Sequence, residues 1–508
     1  MQKREYHSSK YIREIPLTNP GTVSVGRPSS SMTNNNHRPN NKMIRHTAYK
    51  EQCLYIKDRL IEDGVYINWN ISPEPFFMEK KELTFIESLG RCLYLFYSAS
   101  NNLYYQSIHG KQPEWIAGYL DQGKPQSLIE YARMNRMKNL LPGIIRPDII
   151  LTKDGMVATE LDAVPGGMGI TGSLNSAYSS TLFIETDNKI VGEGEGMADG
   201  FLNMLKSAAP RIDDPVIAIV VSEESRDYRS EMEWLAGAMR EVGVNVSTIK
   251  PEDIIFTEEG LYIKSGENRC KIDVLYRFFE LFDLMNIPKA ELIMYSAKKN
   301  RVSITPPFKP FLEEKMLYAL FHHPMLREYW MTTLGEKVFS VLHKILPPTW
   351  ILDPAELPPY GIIPGLKVGK RPVACWAELK QATQSERKEF VIKPSGFSEL
   401  AWGSRGVVVG HDVSKKEWGD VIDRTLEDFY RTPHILQKYH KGRHVEVNYL
   451  DQSTGDIKTM KGRVRLCPYY FVYRKDVKLA GILATVCPLD KKLIHGMTDS
   501  VITVVASS

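Results

Sequence analysis

Three carboxylates and one guanidinium fall at short, regular spacings: Arg146, Asp148, Glu160 and Asp162. Side chains alternate faces along a strand, so Arg146 and Asp148 share a face, as do Glu160 and Asp162. Between them, Lys153-Asp154-Gly155 separates two apolar runs, Asp148–Thr152 and Met156–Leu161. Asp-Gly in that setting signals a β-hairpin, which would bring the two pairs together. Hard oxygen donors of this kind suit Mg2+, which completes its octahedron with phosphate oxygens. Asp154 itself reads as turn chemistry. A glycine-rich turn, Pro165-Gly166-Gly167-Met168-Gly169, follows at once.

A second stretch points to phosphate. Phe390–Lys393 reads as a strand ending in Pro394-Ser395-Gly396, and Gly403-Ser404-Arg405-Gly406 feeds another strand, Val407–Val409. Glycine lets main-chain N–H groups approach phosphate closely. Lys393 adds a point charge, and Arg405 can fork onto phosphate oxygens. The P-loop pattern GxxxxGK[ST] is absent. Next come a helix, Ser414–Tyr430, with a Ser414/Glu417 capping box, and strands Ile435–Tyr439 and His444–Leu450. Arg463 and Arg465 share a strand face and can hold phosphate or an acidic substrate.

Arg-x-Asp, eleven residues, then Glu-x-Asp resembles the magnesium site of circularly permuted ATP-grasp enzymes, the family of glutathionylspermidine synthetase. That family usually has Asn where this chain has Asp162. The Lys393 strand and the Gly403–Gly406 loop are similar to its lysine strand and phosphate-covering flap. Ile435–Tyr439 before a glycine turn is similar to its adenine hinge. Gly335-Glu336-Lys337 resembles its Asn-Lys, with Glu336 in place of Asn. The acids precede the lysine strand, which is the permuted order. The resemblance covers roughly Leu141–Ser508.

It implies an α/β (α+β) protein with a circularly permuted ATP-grasp core and an inserted Rossmann-like α/β domain. ATP and Mg2+ are the implied cofactors. Asp148, Glu160 and Asp162 would hold the metal. Lys337, Lys393 and the flap residues Gly403, Ser404, Arg405 and Gly406 would hold the triphosphate, with Gln437, Lys438 and Tyr439 at the adenine. Arg146 would be the catalytic residue. The implied activity is ligation of a small-molecule or peptide carboxylate to an amine through an acyl phosphate. An ATP-dependent phosphotransferase and a catalytically silent nucleotide-binding scaffold are the other readings.

Several elements must position these groups. Glu79–Tyr105 repeats apolar residues at three and four, as a long helix does. Pro125–Leu141, Ser173–Tyr178 and Gly194–Ala208 also read as helices. Pro215–Val221 suits a buried parallel strand, and helix Tyr228–Val242, strand Asn245–Ile249, a hairpin at Ile254–Lys264, strand Lys271–Tyr276 and helical Phe278–Met285 follow. Arg277, at a strand's carboxyl end, reads as a surface ion pair or a substrate contact. Further helices are expected at Phe311–Phe321 and Thr333–Ile345, and strands at Gly462–Leu466, Phe471–Tyr473 and Val501–Val505. His322-His323 reads as structural.

The expected organisation is a disordered tail at 1–45, a hairpin-bearing region at 46–208, a small α/β domain at 209–304 and the lysine strand, flap and hinge at 305–508. Across 508 residues the net charge is only +4, which argues against nucleic acid as a main partner. No apolar run approaches the ~18 residues of a membrane helix. The first residues lack a signal peptide's apolar core, and the six cysteines are scattered. A cytoplasmic protein with reduced thiols is the expectation.

Overall fold

The acidic hairpin belongs to an eight-stranded sheet whose hub is the 18-residue strand Asp456–Tyr473. In this computed structural model the hub runs antiparallel to His444–Asp451, Asp476–Pro488 and Ile144–Thr152. Gly155–Asp162 pairs with Ile144–Thr152 at one side, and Val501–Ser507 with Asp476–Pro488 at the other. The structure describes residues 40–66, 68–180, 189–193, 196–358, 360–401, 403, 405–491, 494 and 499–508. The expected tail lies outside these residues up to 39; a helix, Asn40–Glu62, begins within its last positions.

Helix Lys80–Ile108 covers one face of the sheet. Leu83, Ile86, Leu89, Leu93, Phe96 and Tyr97 are all buried, as their spacing requires. Gly90 permits the close crossing, because a Cβ there would lie 2.4 Å from the Tyr470 ring. The Tyr470 hydroxyl donates to the Ile86 carbonyl at 2.6 Å. Helices Met168–Ser179 and Gly196–Ala208 also pack against sheet strands.

A parallel sheet runs in the order Ser303–Thr305, Val274–Phe278, Ile217–Val221, Val246–Ile249. Ile217–Val221 is buried at every position, so it lacks polar alternation. The order reverses between Ile217–Val221 and Val274–Phe278, and open α/β sheets bind ligands at the carboxyl ends of strands at such a reversal. A third sheet is antiparallel: Thr349–Ile351, His434–Lys438, Phe390–Pro394, Val408–Val409. Helix Lys415–Glu427 starts from the expected capping box, with Glu417 N–H donating to Ser414 Oγ at 3.2 Å.

The protein is thus mixed α/β, and among the described residues no helix is long and apolar enough to cross a membrane. Some boundaries differ from expectation. Pro125–Leu141 is helical only over Gln126–Ala132. Downstream, the buried Lys309 ammonium takes the Lys138 and Leu140 carbonyls at 3.0 and 2.8 Å, which substitutes for helical bonding there. Phe278–Met285 is not an α-helix: a strand ends at Phe278 and a 3-10 turn covers Leu281–Asn286. Gly335, at φ 76 and ψ 155, splits the helix expected at Thr333–Ile345. The strands expected at Gly462–Leu466 and Phe471–Tyr473 are one strand, with an irregularity at Tyr469/Tyr470.

Candidate functional site

The hairpin pairs Arg146 with Asp162 and Asp148 with Glu160, then shifts register between Asp148 and Ile149. The Arg146 guanidinium donates to Asp162 Oδ2 at 2.7 Å, and its Nε lies 3.4 Å from Asp148 Oδ1. Arg465 reaches Asp148 Oδ2 at 2.9 Å from the hub strand. The Cys467 thiol donates to Asp148 Oδ1 at 3.5 Å. The cluster is therefore a chain of carboxylates alternating with arginines.

Burial works against ionisation of Asp148, but Arg146 and Arg465 outweigh it and hold the carboxyl below the usual range. Asp162 is pushed up, chiefly by burial and against the pull of Arg146; Glu160 and Asp148 add to the rise. Among the described residues no three His, Cys, Asp or Glu side chains are grouped to hold a metal. The oxygens of Asp148 face arginines and a thiol instead of a point shared with Glu160 and Asp162.

Lys393 enters this cluster from the third sheet. Its buried ammonium donates to the Thr159 carbonyl at 3.3 Å. Burial, joined by nearby Lys315, lowers its pKa against the opposing fields of Glu160 and Asp148. Lys315 itself lies 3.4 Å from Glu160 Oε1. The turn after Lys393 is docked firmly. The Ser395 hydroxyl bonds the Glu314 carboxylate, which pairs with Lys124 at 2.6 Å. A Cβ at Gly396 would lie 2.7 Å from the Glu314 carboxyl carbon, so glycine is required there.

The other expected residues are placed as follows. Lys337 is exposed in the first turn of helix Glu336–Ile345. Gly403 adopts φ +61 in open space, and Ser404 lies outside the described residues. Arg405 is 3.7 Å from Glu224, just beyond strand Ile217–Val221. Gly406 packs on Pro394, where a Cβ would lie 2.5 Å from Cγ. Gln437 is buried and donates to Thr349 Oγ1 at 3.3 Å. Lys438 pairs with Glu389 at 2.5 Å. The main-chain N–H groups of Lys438 and Tyr439 are taken by Pro348 and Glu389 carbonyls at 2.8 and 2.7 Å.

Four residues at or beside the site were not singled out from sequence. Lys315, Glu280 and Glu313 join Glu160 and Asp162 around a cavity of about 80 Å3. Burial, reinforced by Glu313 and Asp162, pushes the Glu280 carboxyl up to about 8. Arg277 is fully buried and paired with Glu313, so neither the surface ion pair nor a free substrate contact describes it. Glu231, from helix Arg229–Glu241, accepts the Gly167 and Ile170 N–H groups at 3.2 and 3.1 Å. Glu280 had a signal, since it lies two residues beyond a parallel strand. The others are defined only by contacts distant in sequence.

In three dimensions the chain is similar to a glutathione synthetase-like effector of Globodera pallida in its apo form. The TM-score is 0.55 and the identity 11%, over 90% of this chain and 96% of that one. It is also similar to a protein described as a gamma-glutamylcysteine synthetase of Methylobacillus flagellatus KT, at TM-score 0.37 and 11% identity over 79% and 85% of the two chains. That second likeness is too weak to carry an argument. The first shows a glutathione synthetase-like fold. In sequence, the chain matches no protein-family model and no curated protein.

Proposed function

We propose that this chain is an ATP- and Mg2+-dependent ligase that joins a carboxylate to an amine. In this reading it is a circularly permuted ATP-grasp enzyme, with 209–304 inserted between the hairpin-bearing region 46–208 and the lysine-strand region 305–508. One observation carries the proposal: Lys393 reaches the strand that bears Glu160 and Asp162, although 234 residues separate it from Thr159. A buried lysine, an arginine and several acids then share one locality, as phosphoryl transfer needs. The glutathione synthetase-like fold supports the same class.

The donor set suits Mg2+, which commonly takes one or two carboxylates and completes its shell with substrate phosphates and water. Glu160 and Asp162 would be those carboxylates. Asp148 would join them only by exchanging an arginine for the metal; in the present geometry it steadies Arg146 and Arg465. When bound, Mg2+ supplies charge neutralisation at the phosphate oxygens.

Lys393 and Lys315 supply positive charge where the phosphates would lie. Arg146 is held planar and charged between two carboxylates, aimed by them at one locality. The substrate carboxylate oxygen attacks the γ-phosphorus and ADP departs. The amine nitrogen then attacks the acyl carbon, inorganic phosphate departs and the nitrogen gives up a proton. Arg146 would stabilise charge on the phosphoryl group in transit.

The test supplies ATP, Mg2+ and pools of carboxylates and amines, and follows ADP, phosphate and amide together. Equal release of all three is expected. ADP with a phosphorylated product and no amide would replace the ligase reading with a phosphotransferase. Tight ATP binding without ADP release would leave a silent nucleotide-binding protein.

A further inference from the structure

A cavity of about 520 Å3 opens beside the strand Thr349–Ile351. Small-molecule sites span roughly 300–1,000 Å3. None of Arg146, Asp148, Glu160, Asp162 or Lys393 lines it. Six aromatic side chains do: Trp115, Tyr119, His322, His323, Trp350 and Trp376. The Trp115 ring lies 5.7 Å from Tyr119 and 4.9 Å from His323, centroid to centroid. The indole N–H of Trp350 donates to the Pro364 carbonyl at 2.9 Å, and that of Trp376 to the Asp353 carbonyl at 2.7 Å. These bonds fix two of the rings in place.

Among the described residues the charge of the lining has one sign: Asp353 and Glu356 contribute carboxylates, and no Lys or Arg joins them. Asp353 is anchored by the Tyr119 hydroxyl and, at 2.8 Å, by the Ala355 N–H. Burial pushes the imidazoles of His322 and His323 down, His322 to about 4, which disfavours a positive charge on either ring. Aromatic faces attract cations through their quadrupole, most strongly for tryptophan and most of all when water is excluded. A neutral hydrocarbon would meet the same apolar wall without the charge term. An anion would be repelled by both carboxylates.

We propose that this cavity is a binding site for an organic cation: a tertiary or quaternary ammonium compound with apolar or aromatic substituents. The site is independent of the ligase reading and shares none of its residues.

The test uses the full chain and three probes: benzyltrimethylammonium, its uncharged counterpart with carbon in place of nitrogen, and benzenesulfonate. Calorimetry should give saturable binding of the cation, tighter than the neutral probe by about tenfold. Benzenesulfonate should not bind. Cys375 is an exposed thiol in the lining and reports occupancy locally. Saturating cation should slow its alkylation and leave that of Cys270 unchanged. The double variant Asp353→Asn, Glu356→Gln should bind the cation more weakly than the unmodified chain does, keeping only the preference that the aromatic faces supply. Equal affinity for charged and uncharged probes, or unprotected Cys375, overturns the proposal. Those two readouts need only the unmodified protein, so they decide the matter even if the double variant misfolds.

Discussion

The ammonium of Lys393 donates to the main-chain oxygen of Thr159, and so ties the third sheet to the strand carrying Glu160 and Asp162. Lys393→Ala removes the charge and this tie together. ATP affinity should fall by roughly ten- to a hundredfold, the equivalent of one charge-assisted hydrogen bond of about 1.5–3 kcal/mol. Calorimetry on the folded variant checks this. Unchanged affinity would remove Lys393 from the nucleotide site.

Arg146 should matter more to turnover than to binding. Arg146→Lys keeps a charge beside Asp162 but loses the planar fork. Turnover should drop by about a hundredfold, the scale of one lost electrostatic donor, while ATP affinity changes far less. Arg146→Ala should in addition lower the melting temperature, because it leaves the part-buried carboxylates of Asp148 and Asp162 without their shared cation. Full turnover in Arg146→Lys would reduce Arg146 to a counter-ion.

Glu280 predicts a pH dependence. Its carboxyl is raised from 4.5 to about 8 by burial and by neighbouring acids. The folded state therefore holds a proton that the unfolded state gives up, and stability falls as pH rises from about 4.5 through 8. Glu280→Gln has no such proton to lose. The melting-temperature difference, variant minus parent, should grow steadily between pH 5 and pH 8. A difference independent of pH would mean that Glu280 is ionised in the fold.

Glu231 should be structurally expensive to remove. Its carboxylate satisfies N–H groups at the start of helix Met168–Ser179, just after the glycine-rich turn. Glu231→Ala orphans them, at about 1–3 kcal/mol for each buried donor left unpaired. Glu231→Gln keeps an acceptor oxygen and should lose less. Denaturant unfolding of both variants measures the gap, and equal losses would show that packing alone is at stake.

The hairpin was legible because its signals are local. Asp154-Gly155 fixed the turn, and the two-residue spacings of Arg146/Asp148 and Glu160/Asp162 matched the register found. The parallel strand Ile217–Val221 was legible from its unbroken apolar run. The partners were not. Arg465 was visible as a charged residue on a strand face, but nothing near it in the chain points to Asp148. Lys315 falls inside the helix expected at Phe311–Phe321 with nothing local to point it at Glu160, and nothing in the glycine-rich turn points to Glu231. Helix ends failed where a distant side chain intervened, as Lys309 does at Lys138 and Leu140.

The bond between Asp148 and Arg465 spans 317 residues. During synthesis the hairpin emerges well before its second arginine, which is made 317 residues after Asp148. Until then Asp148 has only Arg146 and, once it is made, Lys393 to balance it. Contacts this remote in sequence slow folding, because loop closure must precede the stabilisation they bring. A growing chain stopped short of residue 465 would carry a recognisable hairpin and an incomplete charge cluster. The charge cluster of the candidate site is thus complete only once Arg465 has been made.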